Sequence, residues 1–426
     1  MKDLNKLRDY LNNFLIGGIN LFSAPEGVNN NKFNGKKLLF EKSLICGSFW
    51  SISALTILSQ PISQSNLNSL LNILNSCFTN INTFPYTSVN SNNTNIVPNT
   101  NSNTTHNATG NDTENTSDSV DSSVVTTEQF EEGVKGFMEY NNNLYNNNIQ
   151  STLYAIEINY LLRNFPLYNQ FHSGINHSLL SSSDLISIIN YIKSLYNPDE
   201  GYFFNSLNSF NTHSNTDYTD VRSTMSALCA FNLTHKLLNF SESQITDQLN
   251  KSFDLDRIYR FLRSHFNSDG GISLSKNGQS HVAGAFCSIG SLVLINRINS
   301  LSHNRIHLLV TWLLERISIN GGMNGRVGKS NDICYIWWSL ATMFMLVKYY
   351  KKSVKLFNQT VIARITRFIG ESQNSDGGFS ANKSHENSDP YHSFTALLAT
   401  ALLNQFHNQY NIHEIEPLFA IPINPT

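Results

Sequence analysis

From residue 254 onward the apolar residues fall into two alternating kinds of segment. In 254–266, Ile258, Tyr259, Phe261 and Leu262 are interleaved with Asp256, Arg257, Arg260 and Arg263, which predicts a helix with one buried face. It stops at Asp269-Gly270-Gly271. After a polar loop, 281–295 is small and apolar on nearly every side, the pattern of a helix buried all round. The unit recurs as amphipathic 304–319, Gly321-Gly322 and apolar 332–347. It recurs again as 359–373, Asp376-Gly377-Gly378 and 390–403. A degenerate earlier copy has 184–196, Gly201 and 220–231.

The predicted fold is therefore all-α. Amphipathic helices form an outer ring, apolar helices an inner ring, and glycine gives each outer helix a left-handed cap. No repeat can bury its own face, so neighbours must stack, and a closed stack is an α/α barrel. Segments 46–58 and 153–162 supply its opening inner helices. Between them the composition changes. Residues 79–148 are dominated by Asn, Thr and Ser, and no Lys or Arg occurs between Lys42 and Lys135. So few apolar residues predict a disordered insertion, with a short helix over 128–140. The expected division is 1–78 for the first toroid helices, 79–148 for the insertion, and 149–426 for the rest of the toroid with its site.

Of the 426 residues, 40% are hydrophobic, enough for a core, and the net charge is −2. That balance excludes bulk binding to nucleic acid or to an anionic membrane surface. No apolar run reaches the ~18 residues that span a bilayer, and the first residues lack a secretory pattern. The cysteines are Cys46, Cys77, Cys229, Cys287 and Cys334, an odd and scattered set that predicts a reducing, cytoplasmic setting.

The chemistry concentrates in 321–338. Asp332 and Cys334 suit a zinc ion, Arg326 and Lys329 suit a phosphate, and Tyr335, Trp337 and Trp338 suit an apolar body. Read singly, Asp332 and Asp389 are helix N-caps, Cys334 a core thiol and His392 a core histidine. In the repeat, however, His281, Cys334 and His392 each open an inner helix after a glycine loop. Such ends share one rim, and their partial positive charges favour an anion there.

The order Gly-Gly-x-x-Gly-Arg-x-x-Lys-x-x-Asp-x-Cys-Tyr-x-x-Trp, complete from Gly321 to Trp338, resembles the β subunits of protein prenyltransferases. The resemblance extends over nearly all of the chain outside the insertion and implies an α/α toroid of about six helix pairs. It implies one zinc ion held by Asp332, Cys334 and His392, with a position left open for a substrate cysteine. It further implies that His281, Arg326, Lys329 and Tyr335 bind the diphosphate. His281 departs from the family's His-Gly-Gly or His-Ala-Gly, since Val282-Ala283-Gly284 follows it. Arg222 matches an arginine near the protein-substrate site; the alternative is a salt bridge to a nearby acid. A helical α subunit is the implied partner.

Lipid length is read from Cys46, four residues before Trp50, where farnesyl-transferring relatives carry tryptophan. Cys46, with aliphatic Ile156 at a second pocket position, implies room for a geranylgeranyl chain. Three segments resemble the class acting on Rab GTPases presented by an escort protein: 332–338, 389–392 and 415–422. The class acting on CaaX sequences is the alternative. Magnesium use stays open: relatives have Asp or Lys shortly after the last Gly-Gly-Phe, and here Ala381 or Asn382 falls there, beside Lys383. A terpene cyclase would share the barrel, but neither Asp-x-Asp-Asp nor Asp-Asp-x-x-Asp occurs. A non-catalytic scaffold would not need Cys334, His392 and Arg326 in corresponding loops.

Overall fold

The computed structural model describes residues 3–23, 44–80, 134–138, 147–171, 179–207, 220–351 and 358–423. All belong to one compact unit, 1–81 with 133–426. Among them the helices run α1 Leu4–Ser23, α2 Leu44–Ile57, α3 Gln64–Ser76, α4 Ile149–Asn164, α5 Ser182–Ser194, α6 Val221–Leu237 and α7 Glu242–Ser252. They continue as α8 Leu255–Arg263, α9 Val282–Leu294, α10 His303–Leu314, α11 Ile333–Tyr349, α12 Gln359–Glu371 and α13 Pro390–His407.

Helices α2, α4, α6, α9, α11 and α13 pack each on the next, and α13 packs back on α2. That closes the inner ring of an α/α toroid. Every residue of α9 is buried. By contrast α8 buries only Leu255, Ile258, Phe261 and Leu262, one face at helical spacing. Burying each such side chain contributes about 1.5–3 kcal/mol. On its other faces α8 exposes Asp256 and Arg260.

Two backbone devices repeat around the ring. The first N–H of an inner helix has no intrahelical acceptor. Here it bonds a carbonyl of the following loop: Ile149 to Asn205 at 2.9 Å, Val221 to Leu274 at 3.0 Å, Val282 to Gly325 at 2.9 Å, Ile333 to Ala381 at 2.8 Å. These bonds hold the N-terminal ends of the inner helices at one level. The second device is glycine. The glycines are not the helix caps that the sequence pattern predicts. α8, α10 and α12 end on Ser264, Glu315 and Ser372 in right-handed conformation. Gly270, Gly321 and Gly377 follow in tight turns, with φ of 92°, 89° and 94°. Only a left-handed residue lets the chain reverse between Asn267 and Gly271, whose backbones bond at 3.0 Å.

The segment 79–148 lies mostly outside the described residues. Its described ends differ from the expectation: Lys135–Phe137 is a strand, not part of a helix, and pairs antiparallel with Phe78–Asn80. Phe78 and Phe137 stack across this pair at 4.7 Å, so apolar contact at the two ends selects pairing. At the other end of the chain, Ile415–Glu416 pairs with Ile421–Pro422. This hairpin reaches the C-terminal ends of the inner helices, where His413 N–H bonds Ile57 O at 2.9 Å.

Candidate metal centre and central cavity

Asp332 precedes α11 and caps it, its Oδ1 accepting from Cys334 N–H at 2.9 Å. The cap therefore fixes the carboxylate beside the Cys334 thiol, itself only 5% exposed. Asp389 caps α13, its Oδ1 accepting from His392 N–H at 2.9 Å. Its Oδ2 lies 2.5 Å from His392 Nδ1. The far ring nitrogen, Nε2, then faces Asp332 Oδ1 at 3.3 Å. Asp332, Cys334 and His392 offer oxygen, sulfur and nitrogen within 4.8 Å of one another, and among the described residues no second such cluster of three occurs.

The charges are unbalanced in a way that suits a cation. Burial lowers the His392 pKa, but its hydrogen bonds to Asp332, Asp389 and Cys334 outweigh it and raise it to about 12. Burial, with the adjacent Asp332 carboxylate, pushes the Cys334 thiol up to about 12. Two carboxylates and a thiol thus crowd one imidazole. A divalent ion relieves that crowding, and one oxygen, one sulfur and one nitrogen donor suit zinc with a coordination position left open. Nδ1 held by a carboxylate leaves Nε2 as the donor atom.

On the same rim His281 caps α9, its Nδ1 accepting from Ala283 N–H at 3.1 Å. The proton of the neutral ring therefore sits on Nε2. Burial lowers the His281 pKa to about 4, helped by Arg326 and Arg222. Its ring meets Tyr335 edge-on at 5.5 Å. Gly325 lies against both rings; a Cβ there would stand 2.5 Å from Tyr335 and 2.9 Å from His281 Nε2. Arg326 follows half-buried, and Lys329 is exposed at the loop's outer edge. Arg222 is held by its own helix cap, its Nε 2.9 Å from Asp220 Oδ2. The salt bridge and a place on the cavity wall thus coexist.

Below the rim the inner helices line a cavity of about 140 Å³. Trp50, Tyr154, Phe286, Trp338 and Tyr391 supply its aromatic wall, and Leu418, Phe419 and Ala420 of the C-terminal hairpin border it. Trp338 Nε1 donates to Tyr391 Oη at 3.1 Å, and Trp50 packs on Tyr391 at 5.0 Å. Trp50, Arg222 and Trp338 thus line the cavity, whereas Cys46 and Ile156 do not. Cys46 shares the Trp50 face of α2 one turn nearer the rim. Ile156 is fully buried, turned off the stripe of Leu153, Tyr154 and Glu157. Sequence reasoning missed Tyr154, Glu157 and Tyr391 as wall residues. Tyr391 carried a signal, standing between the helix-start proline and His392.

Prenyltransferase alpha-alpha toroid domain is the family that matches this chain, over residues 29–421. Geranylgeranyl transferase type-2 subunit beta of Saccharomyces cerevisiae is 27% identical over 172 residues, 40% of this chain and 49% of that protein. The Candida albicans protein of the same name is 38% identical over 93 residues, 21% of this chain and 27% of that one. Geranylgeranyl transferase type-1 subunit beta of Arabidopsis thaliana is 30% identical over 160 residues, 36% of this chain and 40% of that one. The chain thus spans about half or less of the length of these relatives. Among solved structures, Candida albicans protein geranylgeranyltransferase-I complexed with GGPP aligns with a TM-score of 0.62 at 19% identity, over 99% of this chain and 96% of that one. With its closed ring of six inner helices and its match over nearly the whole length, this chain belongs to the prenyltransferase alpha-alpha toroid family.

Proposed function

We propose that the chain is the catalytic β subunit of a zinc-dependent protein geranylgeranyltransferase. It acts with a helical α subunit on C-terminal cysteines of Rab-type GTPases presented by an escort protein. The observation that carries this reading is the Asp332, Cys334 and His392 cluster, next in sequence to Tyr391 of the aromatic cavity wall and on the same rim as His281, Arg326 and Tyr335.

Each group has a role in that reading. The aromatic wall takes the apolar chain of geranylgeranyl diphosphate. His281 donates from Nε2, and Arg326, Lys329 and Tyr335 add donors and charge where the departing diphosphate gains charge. Donors fixed beforehand act there without reorganising, and Gly325 keeps two of their rings in place. Asp332, Cys334 and His392 hold the zinc ion. When bound, zinc supplies a Lewis-acidic position that lowers the pKa of an incoming cysteine thiol. Asp389 orients His392, and Arg222 stands where the protein substrate enters. No residue is assigned to magnesium: Asn382 Nδ2 is engaged by Asn331 O at 3.0 Å and Lys383 by Glu371 at 3.6 Å.

The names of the yeast relatives support the Rab class. The Arabidopsis type-1 β subunit supports a CaaX acceptor as the second reading. One experiment separates them. The chain is co-expressed with an α subunit, and kcat/KM for geranylgeranyl transfer is compared between a Rab–escort complex and a CaaX peptide. Preference for the peptide would replace the first reading by the second. No transfer to either, with the complex intact and zinc present, would remove both.

A further inference from the structure

Cys46 and Ile156 do not line the central cavity, so its depth is set by other residues. Its floor is the tip of the C-terminal hairpin, Leu418, Phe419 and Ala420. Beyond that tip lies a second, larger cavity of about 640 Å³, among the C-terminal ends of α4, α6, α9 and α11. Among the described residues, only Leu418 and Phe419 line both cavities. These two buried side chains are therefore the partition between them.

The sizes make the partition matter. An apolar cavity of ~150 Å³ accommodates a body the size of benzene. The central cavity, at about 140 Å³, is of that order, and a chain of four isoprene units is far larger. Some part of the lining must give way to it. The side walls are inner helices, each packed between two neighbours. The floor is tied less firmly. The strong contacts of the hairpin lie at its base: Tyr349 Oη donates to Glu416 Oε1 at 3.1 Å, Lys348 pairs with the same carboxylate, and Ile423 N–H bonds Glu414 O at 2.7 Å. The bonds from the helices to the tip are long. Ser53 Oγ donates to Ala420 O at 3.4 Å, and the Cys229 thiol to Leu418 O at 3.8 Å. On the lower side the Phe419 ring meets Lys236 Nζ at 5.2 Å, a flexible side chain that can move with it.

We propose that Leu418 and Phe419 form a yielding floor. A geranylgeranyl chain displaces their side chains toward the lower cavity and seats its last isoprene unit there, so these two residues set the longest chain accepted. The proposal rests on the function given above, in which a prenyl diphosphate holds its head at the rim. The lower cavity suits an apolar end. Leu233 of α6 and Val293 and Leu294 of α9 line it, and its charged residues neutralise one another, Lys236 with Glu242 at 2.8 Å and Lys348 with Glu416. No covalent bond changes.

The test compares wild type with Phe419→Ala and Leu418→Ala, each assembled with its α subunit. Prenyl diphosphates of three, four and five isoprene units are offered with one protein acceptor, and kcat/KM is measured for each. A yielding floor predicts that the five-to-four-unit ratio rises about tenfold or more in either variant, the order by which an apolar pocket discriminates even one methylene. A merely structural defect lowers all three rates together and leaves the ratio unmoved. An unchanged ratio in an active variant overturns the floor and leaves the proposed function standing. No transfer of any prenyl group by wild type overturns the function itself. If neither variant assembles, wild type decides: geranylgeranyl diphosphate with a diazirine on its last isoprene unit is bound and photolysed. Label on residues 415–423, Leu233, Val293 or Leu294 supports the proposal; label confined to other residues overturns it.

Discussion

His392 and Asp389, three residues apart at the start of α13, are joined twice by one carboxylate. Oδ1 takes the His392 backbone N–H at 2.9 Å and Oδ2 meets the ring Nδ1 at 2.5 Å. The first contact is a helix cap and the second selects a ring tautomer, so a single substitution separates them. Asn at 389 still caps, but its side-chain NH₂ donates to Nδ1 and drives the ring proton to Nε2, the atom facing Asp332. Asp389→Asn should weaken zinc about 10- to 100-fold in a chelator competition while leaving the melting temperature nearly unchanged. Equal zinc affinity in the two proteins would reduce Asp389 to a cap.

Removing a ligand outright has a larger effect. Cys334→Ala and His392→Ala should each abolish stoichiometric zinc and transferase activity. The far-ultraviolet helical signal should persist, because the ring of helices is held by apolar packing. Elemental analysis of the purified variants decides; full zinc content in either one would exclude that residue as a ligand.

His281 gives a prediction with a sign. Its folded pKa, about 4, lies below the unfolded value of about 6.5. The unfolded chain therefore takes the proton first. The stability carried by the neutral ring is complete above about pH 6.5 and lost as pH falls toward 4. At neutral pH the residue acts through its Nε2–H and not through charge. In a nuclear magnetic resonance titration of the lipid-free protein its ring signal should stay flat from pH 8 to 5; a midpoint near 6.5 would contradict the burial argument.

The glycine turns are testable in pairs. Gly321 has φ 89°, and a Cβ there would stand 2.1 Å from Arg364 O. Gly328 has φ 78° with nothing within 4 Å. Gly328→Ala should lose only the left-handed preference, about 1–2 kcal/mol. Gly321→Ala adds a clash with backbone and should lose at least ~1 kcal/mol more. Denaturant unfolding compares them, and equal losses would mean that α12 simply moves aside.

Much of this was readable before the fold was known. Burial on every side leaves α9 and α11 with apolar sequence all round, so the inner helices stand out from amphipathic α8 and α12. The cluster was legible because Asp332, Cys334 and His392 stand at corresponding places after glycine loops, and the structure brings their ligand atoms within 4.8 Å of one another. Wall residues were harder. Glu157, in the run from Tyr154 to Ile158, reads as the polar edge of a helix, and its inward direction is set by packing against α6. Cys46 and Ile156 show the same limit from the other side, since helical position alone does not say which apolar side chain meets the cavity and which meets a neighbouring helix. The strand at 135–137 escaped because its partner, Phe78–Asn80, lies more than fifty residues earlier.

The glycine turns also set an order of events. Gly201 packs on α8, Gly270 on α10 and Gly321 on α12, each on the outer helix made next. Gly377 has no later helix in the ring to meet, and it packs on the backbone of Lys6 in α1. Asp3 and Gln373 reinforce that contact, bonding in both directions at 3.0 and 2.8 Å. During synthesis the middle repeats dock as they emerge, whereas the seam beside α1 waits until more than 370 residues have been made. Until then one edge of the stack stays open, with apolar surface that a chaperone or a wrong partner can reach. A ring that surrounds a cavity in its finished state is thus, for most of its birth, an unclosed arc.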